Sequence, residues 1–440
     1  MRCFSVLPDC EQGFCLYFSR VGQNTSGKKV AALTFTELYD HLVREFAATG
    51  NILPQPHDFD PYHLDCLLHP EKHPVVIKAD RCAGDCGCEC KNSCMYDAIK
   101  LRDGEVEIDT ERCTGCAACI DACRAKNLHE SRDVLPVLHT VRNADGPVYA
   151  LIAPSFLGQF NNVTPGKLRS AFKKIGFTGM LEVALFADIL TLKEALEFNR
   201  NIVTESDYQL TSCCCPLWIA MIRKIYRELM PHVPGSVSPM IASGRAVKLL
   251  HPDAVTIFVG PCLAKKAEAR EADVKGAVDF VLTFQETQDI FTFFGIDPER
   301  EPETEKEHSS RAGRGYAYAG GVSSAVKNTL MRLNPNRKIP FRNRAADGVQ
   351  NCRKMTDELR AGEIKANFYE GMGCAGGCVG GPKVMIDAES GRRHTVDYAD
   401  KAVYDTPVDN PYVTELLHKL GFDTIESLLQ RGSIFTREFD

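Results

Sequence analysis

From Val148 onward the chain alternates short apolar runs with stretches whose apolar residues recur at helical spacing. The runs at 149–153, 255–259 and 280–283 read as buried strands. Residues 180–186 read as another, followed by a helix from about Thr191 to Arg200, and 167–175 reads as a helix. Strand–helix alternation predicts parallel sheets covered by helices, because parallel strands need long crossover connections. Upstream, Thr34 to Ala47 carries helical spacing through Leu38, Leu42, Val43 and Phe46, and 51–61 is a proline-rich connector. Residues 99–109 alternate about Asp103-Gly104, a hairpin signal. The charged stretch 299–315 reads as an exposed loop, and 411–430 as closing helices. No run reaches the roughly 18 apolar residues of a membrane span.

The 440 residues suffice for two or three domains with real cores, and a net charge of −6 gives no reason to expect nucleic acid or an anionic membrane as partner. What changes the picture is 20 cysteines. So long a chain does not need a disulfide framework, so thiolates held by iron in a reducing cytoplasm are the expected use. Met1 to Phe18 carries Asp9 and Glu11 and lacks the basic and apolar regions of a signal peptide. Cys3, Cys10, Cys15 and Cys66 show no tight ligand spacing and are expected to be plain thiols of a small cap, a further cluster being the alternative.

Residues 80–127 hold two cysteine runs. Cys113, Cys116, Cys119 and Cys123 follow the full bacterial ferredoxin spacing, which suits a [4Fe-4S] cubane better than the separated pairs of a zinc knuckle. The first run offers five thiols for four places: Cys82, Cys86, Cys88, Cys90 and Cys94. Either Cys86 or Cys88 is spare, and the preferred set is Cys82, Cys86, Cys90 and Cys94. In such modules the fourth cysteine of each run serves the other cluster. Cys123 then joins Cys82, Cys86 and Cys90, and Cys94 joins Cys113, Cys116 and Cys119.

Three further stretches carry thiols in unusual settings. Glu370 to Pro382 places Cys374 and Cys378 in a glycine-rich run, where the backbone can approach a bulky inorganic ligand. The others are Thr211-Ser-Cys-Cys-Cys-Pro-Leu-Trp218 and Gly260-Pro-Cys-Leu-Ala-Lys-Lys-Ala-Glu268. In this order, behind a ferredoxin-like segment, they resemble the signatures of the [FeFe]-hydrogenase H-cluster domain. The resemblance covers roughly 146–440, and the triple cysteine is similar to one branch of that family.

The resemblance implies an α+β, α/β multidomain chain. A cap of unclear fold would span 1–75, a ferredoxin-like module with two [4Fe-4S] clusters 76–140, and an H-cluster domain of two α/β lobes 141–440. It implies a cubane held by one cysteine of the first signature with Cys262, Cys374 and Cys378. Cys378 would bridge to a diiron subsite carrying CO, cyanide and a dithiolate amine. Aligned on the proline, Cys215 is the ligand and Cys214 the proton-carrying thiol; aligned on Thr-Ser they are Cys214 and Cys213. The proline register is preferred, because Pro216 suits a first helical position and puts Cys215 at the cap. Lys265 would bond a cyanide, while Lys266 reads as a solvated lysine, and Met372 would pack on the bridging ligand. Glu194 and Glu197, three apart on one helical face, match the family's relay glutamates. The family's relay serine has no clear counterpart, Ser236 being near but out of register. Gly260 stands where the family usually has methionine, Trp218 reads as core, and Cys352 and the histidines at 139, 251 and 394 read as structural.

The implied reaction is H2 ⇌ 2H⁺ + 2e⁻, with electrons passing to a soluble carrier such as ferredoxin and the diiron subsite installed by maturation enzymes. Two rivals stand beside it: a non-catalytic iron–sulfur assembly protein of the Nar1-like type, and a hydrogen sensor of low activity.

Overall fold

A computed structural model describes residues 32–52, 59–82, 87–161, 163–211, 214–304 and 308–439. Cys3, Cys10, Cys15, Cys86 and Cys213 lie outside the described residues. Helix Phe35–Thr49 opens on a capping box between Thr34 and Glu37 and stops at Gly50, whose left-handed backbone ends the helix without a Cβ penalty. Its apolar stripe, with Cys66 of helix Pro61–Leu68, shares one core with helix Val134–Asn143 and with Phe284 and Phe291 further on.

The cysteine-rich segment is closed by its ends, Val76–Lys78 pairing antiparallel with Leu128–Glu130. Between them Ile99–Arg102 and Glu105–Ile108 form the predicted hairpin, with positive φ at both Asp103 and Gly104.

The rest is built on two sheets. Four parallel strands run in the order Gly179–Glu182, Val148–Ile152, Val255–Gly260, Phe280–Thr283. A second parallel sheet runs Asn343–Asp347, Phe368–Met372, Gln209–Leu210. This is the mixed α/β architecture expected.

Three local expectations fail. Residues 183–186 open the long helix Val183–Asn201 instead of continuing a strand. An apolar run buried on all sides carries no period that separates strand from helix. Within 299–315, Ser309, Ser310 and Ala312 to Gly315 are buried. Asp188 accepts from the amide and hydroxyl of Ser310, and Arg314 donates to Ser309 and to the carbonyl of Tyr398, so these polar groups go inside already partnered. Lys266 is 1% exposed, its ammonium 3.0 Å from both Asp133 and Glu286. Its helix is wedged between the segment leading into Val134–Asn143 and the cap of Phe284–Phe293, which supplies the counter-charges.

Candidate active site

The three glycine- and proline-flanked cysteine stretches all leave the C-terminal ends of parallel strands. Leu210 leads to Cys214 and Cys215, Gly260 to Cys262, and Met372 to Cys374 and Cys378. Parallel strands aim their ends one way, so loops from two sheets meet in one crevice. The four thiols at 215, 262, 374 and 378 come together there. Cys374 lies within electrostatic reach of Cys262, Cys215 and Cys378, and Cys378 of Cys215 and Cys262. The amide of Gly373 donates to the sulfur of Cys215 at 3.3 Å. Among the described residues no three His, Cys, Asp or Glu side chains close on a single metal ion.

Burial dominates the thiols, pushing Cys262 up to about 11 and Cys378 up to about 12. Close backbone approach shapes the crevice. A Cβ on Gly377, at φ +89°, would lie 2.7 Å from the amide nitrogen of Ala319 and from the sulfur of Met372. A Cβ on Gly371 would strike the fully buried ring of Trp218. A side chain at Gly260 would meet the ring of Phe258 at 2.7 Å, so Phe258 fills that space. Cys352 is buried, and its thiol donates to the carbonyl of Met372 at 3.3 Å. Four thiols, backbone amides and a buried cation fit an anionic iron–sulfur cage.

That cation is Lys265, 6% exposed on helix Ala264–Arg270. Burial works against its charge, but Glu268, 2.7 Å away, outweighs it, with Cys262 and Cys378 acting in the same direction, and its pKa is raised.

The second arm of the site is helix Val183–Asn201, where Glu194 and Glu197 are 3% and 5% exposed. Cys214 packs in a cluster with Met372, Tyr316 and Phe368. Tyr316 is wholly buried, its pKa raised by burial first and then by Glu194 and Cys214, and it pairs with Thr191 at 2.9 Å. Its phenol thus lies within electrostatic reach of both the thiol and the carboxyl, a neighbour sequence reasoning missed. No spacing could have found it, because 122 residues separate it from Glu194 and it directly follows a segment read as exposed loop. Ser236 does reach Glu197, at 3.4 Å, and both bond Lys193.

The other cysteines fall into two groups. Cys94, Cys113, Cys116 and Cys119 are mutual electrostatic neighbours. Cys90 is surrounded by Cys123, Cys88 and Cys82. Cys88, the thiol left spare in the preferred set, is therefore beside Cys90. Cys116 also lies within electrostatic reach of Cys374, which links the first group to the crevice.

Comparison with known proteins identifies the family of the fold. The profile of the family described as "Iron only hydrogenase large subunit, C-terminal domain" matches residues 146–382. The NADP-reducing hydrogenase subunit HndD of Solidesulfovibrio fructosivorans is 26% identical over 74% of this chain and 66% of its own length. The chain thus spans just under two thirds of that relative. Human nuclear prelamin A recognition factor (Homo sapiens) is 24% identical over 75% of this chain and 85% of its own length. A solved variant of [FeFe]-hydrogenase HydA1 from Chlamydomonas reinhardtii superposes with a TM-score of 0.57 at 20% identity, covering 70% of this chain and 98% of that one. With more than half its length matched by that profile, the chain belongs to the iron-only hydrogenase large-subunit family.

Proposed function

We propose that this chain is an [FeFe]-hydrogenase catalysing H2 ⇌ 2H⁺ + 2e⁻. The observation that carries this reading is the set of proton-bearing side chains beside the four-thiol crevice: half-buried Cys214, buried Tyr316 and Glu194 within electrostatic reach of each other, and buried Glu197 bonded by Ser236. A cluster that only carried electrons would have no use for it, whereas hydrogen turnover moves protons through the protein interior.

In this reading Cys215, Cys262, Cys374 and Cys378 would hold a cubane, and Cys378 would also serve the diiron subsite. When bound, that H-cluster supplies the metal centre at which the H–H bond is split heterolytically. The chain supplies the rest. Lys265, kept charged by Glu268, offers its ammonium to a cyanide. Met372 and Phe258 keep water from the crevice. Cys214 passes a proton toward Glu194, and Glu194 toward Ser236 and Glu197. The group of Cys94, Cys113, Cys116 and Cys119 and that of Cys82, Cys90 and Cys123 with Cys86 or Cys88 would hold two [4Fe-4S] clusters, which when bound carry the electrons. A soluble carrier such as ferredoxin takes them up, in the cytoplasm. No described helix is long and apolar enough to cross a membrane. Dedicated maturation enzymes would install the diiron subsite.

The second reading is an iron–sulfur assembly protein, favoured by the likeness to cytosolic iron-sulfur assembly component 3 of Pongo abelii, 25% identical over 58% of this chain. Isotope exchange separates the two. Protein loaded with a diiron subsite and held under D2 in H2O should release HD, and Cys214→Ala should lose most of that exchange. Fully loaded protein that releases none favours the assembly reading.

A further inference from the structure

Beside Glu194 on the long helix stands Lys193, a residue the family resemblance did not single out. Its side chain is 1% exposed. The ammonium donates to Glu197 Oε1 at 2.5 Å, to Ser236 Oγ at 2.6 Å and to the carbonyl of Gly235 at 3.4 Å. Ser236 in turn donates to Glu197 Oε2 at 3.4 Å. All three ammonium donors are used, as a buried cation requires. The charged groups Asp188, Arg314, Arg245 and Arg437 near this helix are engaged with other partners. Asp188 binds Ser310 and Gly313, and Arg314 binds Ser309 and Tyr398. Arg245 binds the carbonyls of Ile434 and Thr436, and Arg437 binds Asp273 and Glu271. Glu194 faces Tyr316.

We propose that Lys193 is a positioning residue that holds the outer relay group, Glu197, as the carboxylate and so throttles proton passage in both directions. A relay station conducts by taking a proton and giving it up. An ammonium against the carboxylate keeps the protonated form scarce, and each tenfold drop in that form cuts flux tenfold once this station limits. Without the cation, burial would favour the neutral acid. The consequence for turnover rests on the hydrogenase reading; the ion pair does not.

The test uses full-length protein carrying its cubanes but no diiron subsite. Infrared difference spectra between each protein and its Glu197→Gln counterpart report the protonated carboxyl of Glu197. The expected result near neutral pH is no such band in wild type or Lys193→Arg and a clear band in Lys193→Met. After loading, Lys193→Met should exchange D2 about tenfold faster than wild type near neutral pH, and Lys193→Arg should match wild type. A protonated Glu197 in the wild type overturns the proposal, and that spectrum decides even where Lys193→Met does not fold. So does a Glu197 still ionised in Lys193→Met. An unchanged exchange rate in active Lys193→Met overturns the throttle and leaves the hydrogenase reading standing. Inactive loaded wild type ends the hydrogenase reading, and the throttle with it, while the spectra still report the ion pair.

Discussion

The hydroxyl of Tyr96 donates to the carbonyl of Leu217 at 3.0 Å, tying the cysteine-rich segment to the helix that begins immediately after Cys215. Tyr96 is buried, with Cys116 and Cys215 both within electrostatic reach. A second tie lies alongside. A Cβ on Gly115, at φ +69°, would stand 3.1 Å from the Cα of Ala264 and the carbonyl of Leu263, just past Cys262. The two thiol-bearing regions therefore meet backbone to backbone, at a distance a side chain could enter only by pushing the facing backbone aside.

Gly115→Val should cost about 1–3 kcal/mol, since it adds both an overpacked contact and a strained left-handed residue. Thermal unfolding of iron-loaded protein would show it, and freeze-quench paramagnetic resonance should show slower electron exchange between the thiol groups. A variant as stable as wild type would mean the regions do not meet as described.

Cys214→Ala should keep the iron content of the protein and lose about 10²–10⁴ in turnover, the usual worth of a positioned proton carrier. Iron analysis and hydrogen-driven dye reduction measure the two separately. Undiminished turnover would move the role to Cys213.

Tyr316→Phe keeps the packing against Phe368 and Met372 and removes only the hydroxyl shared with Thr191. Thr191 retains the carbonyl of Ala187 as partner, so the stability loss should be about 1 kcal/mol. Turnover should fall with a larger solvent isotope effect. An unaltered rate and isotope effect would show that the phenol only fills space.

Burial pushes the carboxyl of Asp188 up to about 7, although donors from Ser310 and Gly313 pull the other way. An acid that resists ionising in the fold stabilises it fully below its unfolded pKa. Stability should decline from about pH 4 to about pH 7, by at most about 4 kcal/mol, and then level off. Denaturant titrations of wild type and Asp188→Asn across that range would show a slope in the first that the second lacks.

How much of this was legible beforehand differs by element. The hairpin at Asp103-Gly104 and the strands at 148–152, 255–260 and 280–283 could be read because turn chemistry and short buried runs are local. The convergence of Cys215, Cys262, Cys374 and Cys378 came only through family resemblance. Ligands from three loops share no spacing, and what unites them is the common direction of parallel strands. Lys193 has its carboxylate one turn along the same helix, so only the burial of the pair was invisible, whereas Lys266 was invisible because tertiary structure brings it its carboxylates. For Lys266 those partners are 133 and 20 residues away. Helix Val183–Asn201 was cut short for the opposite reason, since its first turn is apolar on every side and so has no face to betray its period.

Infrared spectroscopy of protein matured with the diiron subsite tests the central claim most directly. The account predicts stretching bands of metal-bound carbon monoxide and cyanide, retained in Cys214→Ala and lost in Cys378→Ala. A spectrum without those bands, from matured protein that carries its full cubane iron, would contradict it.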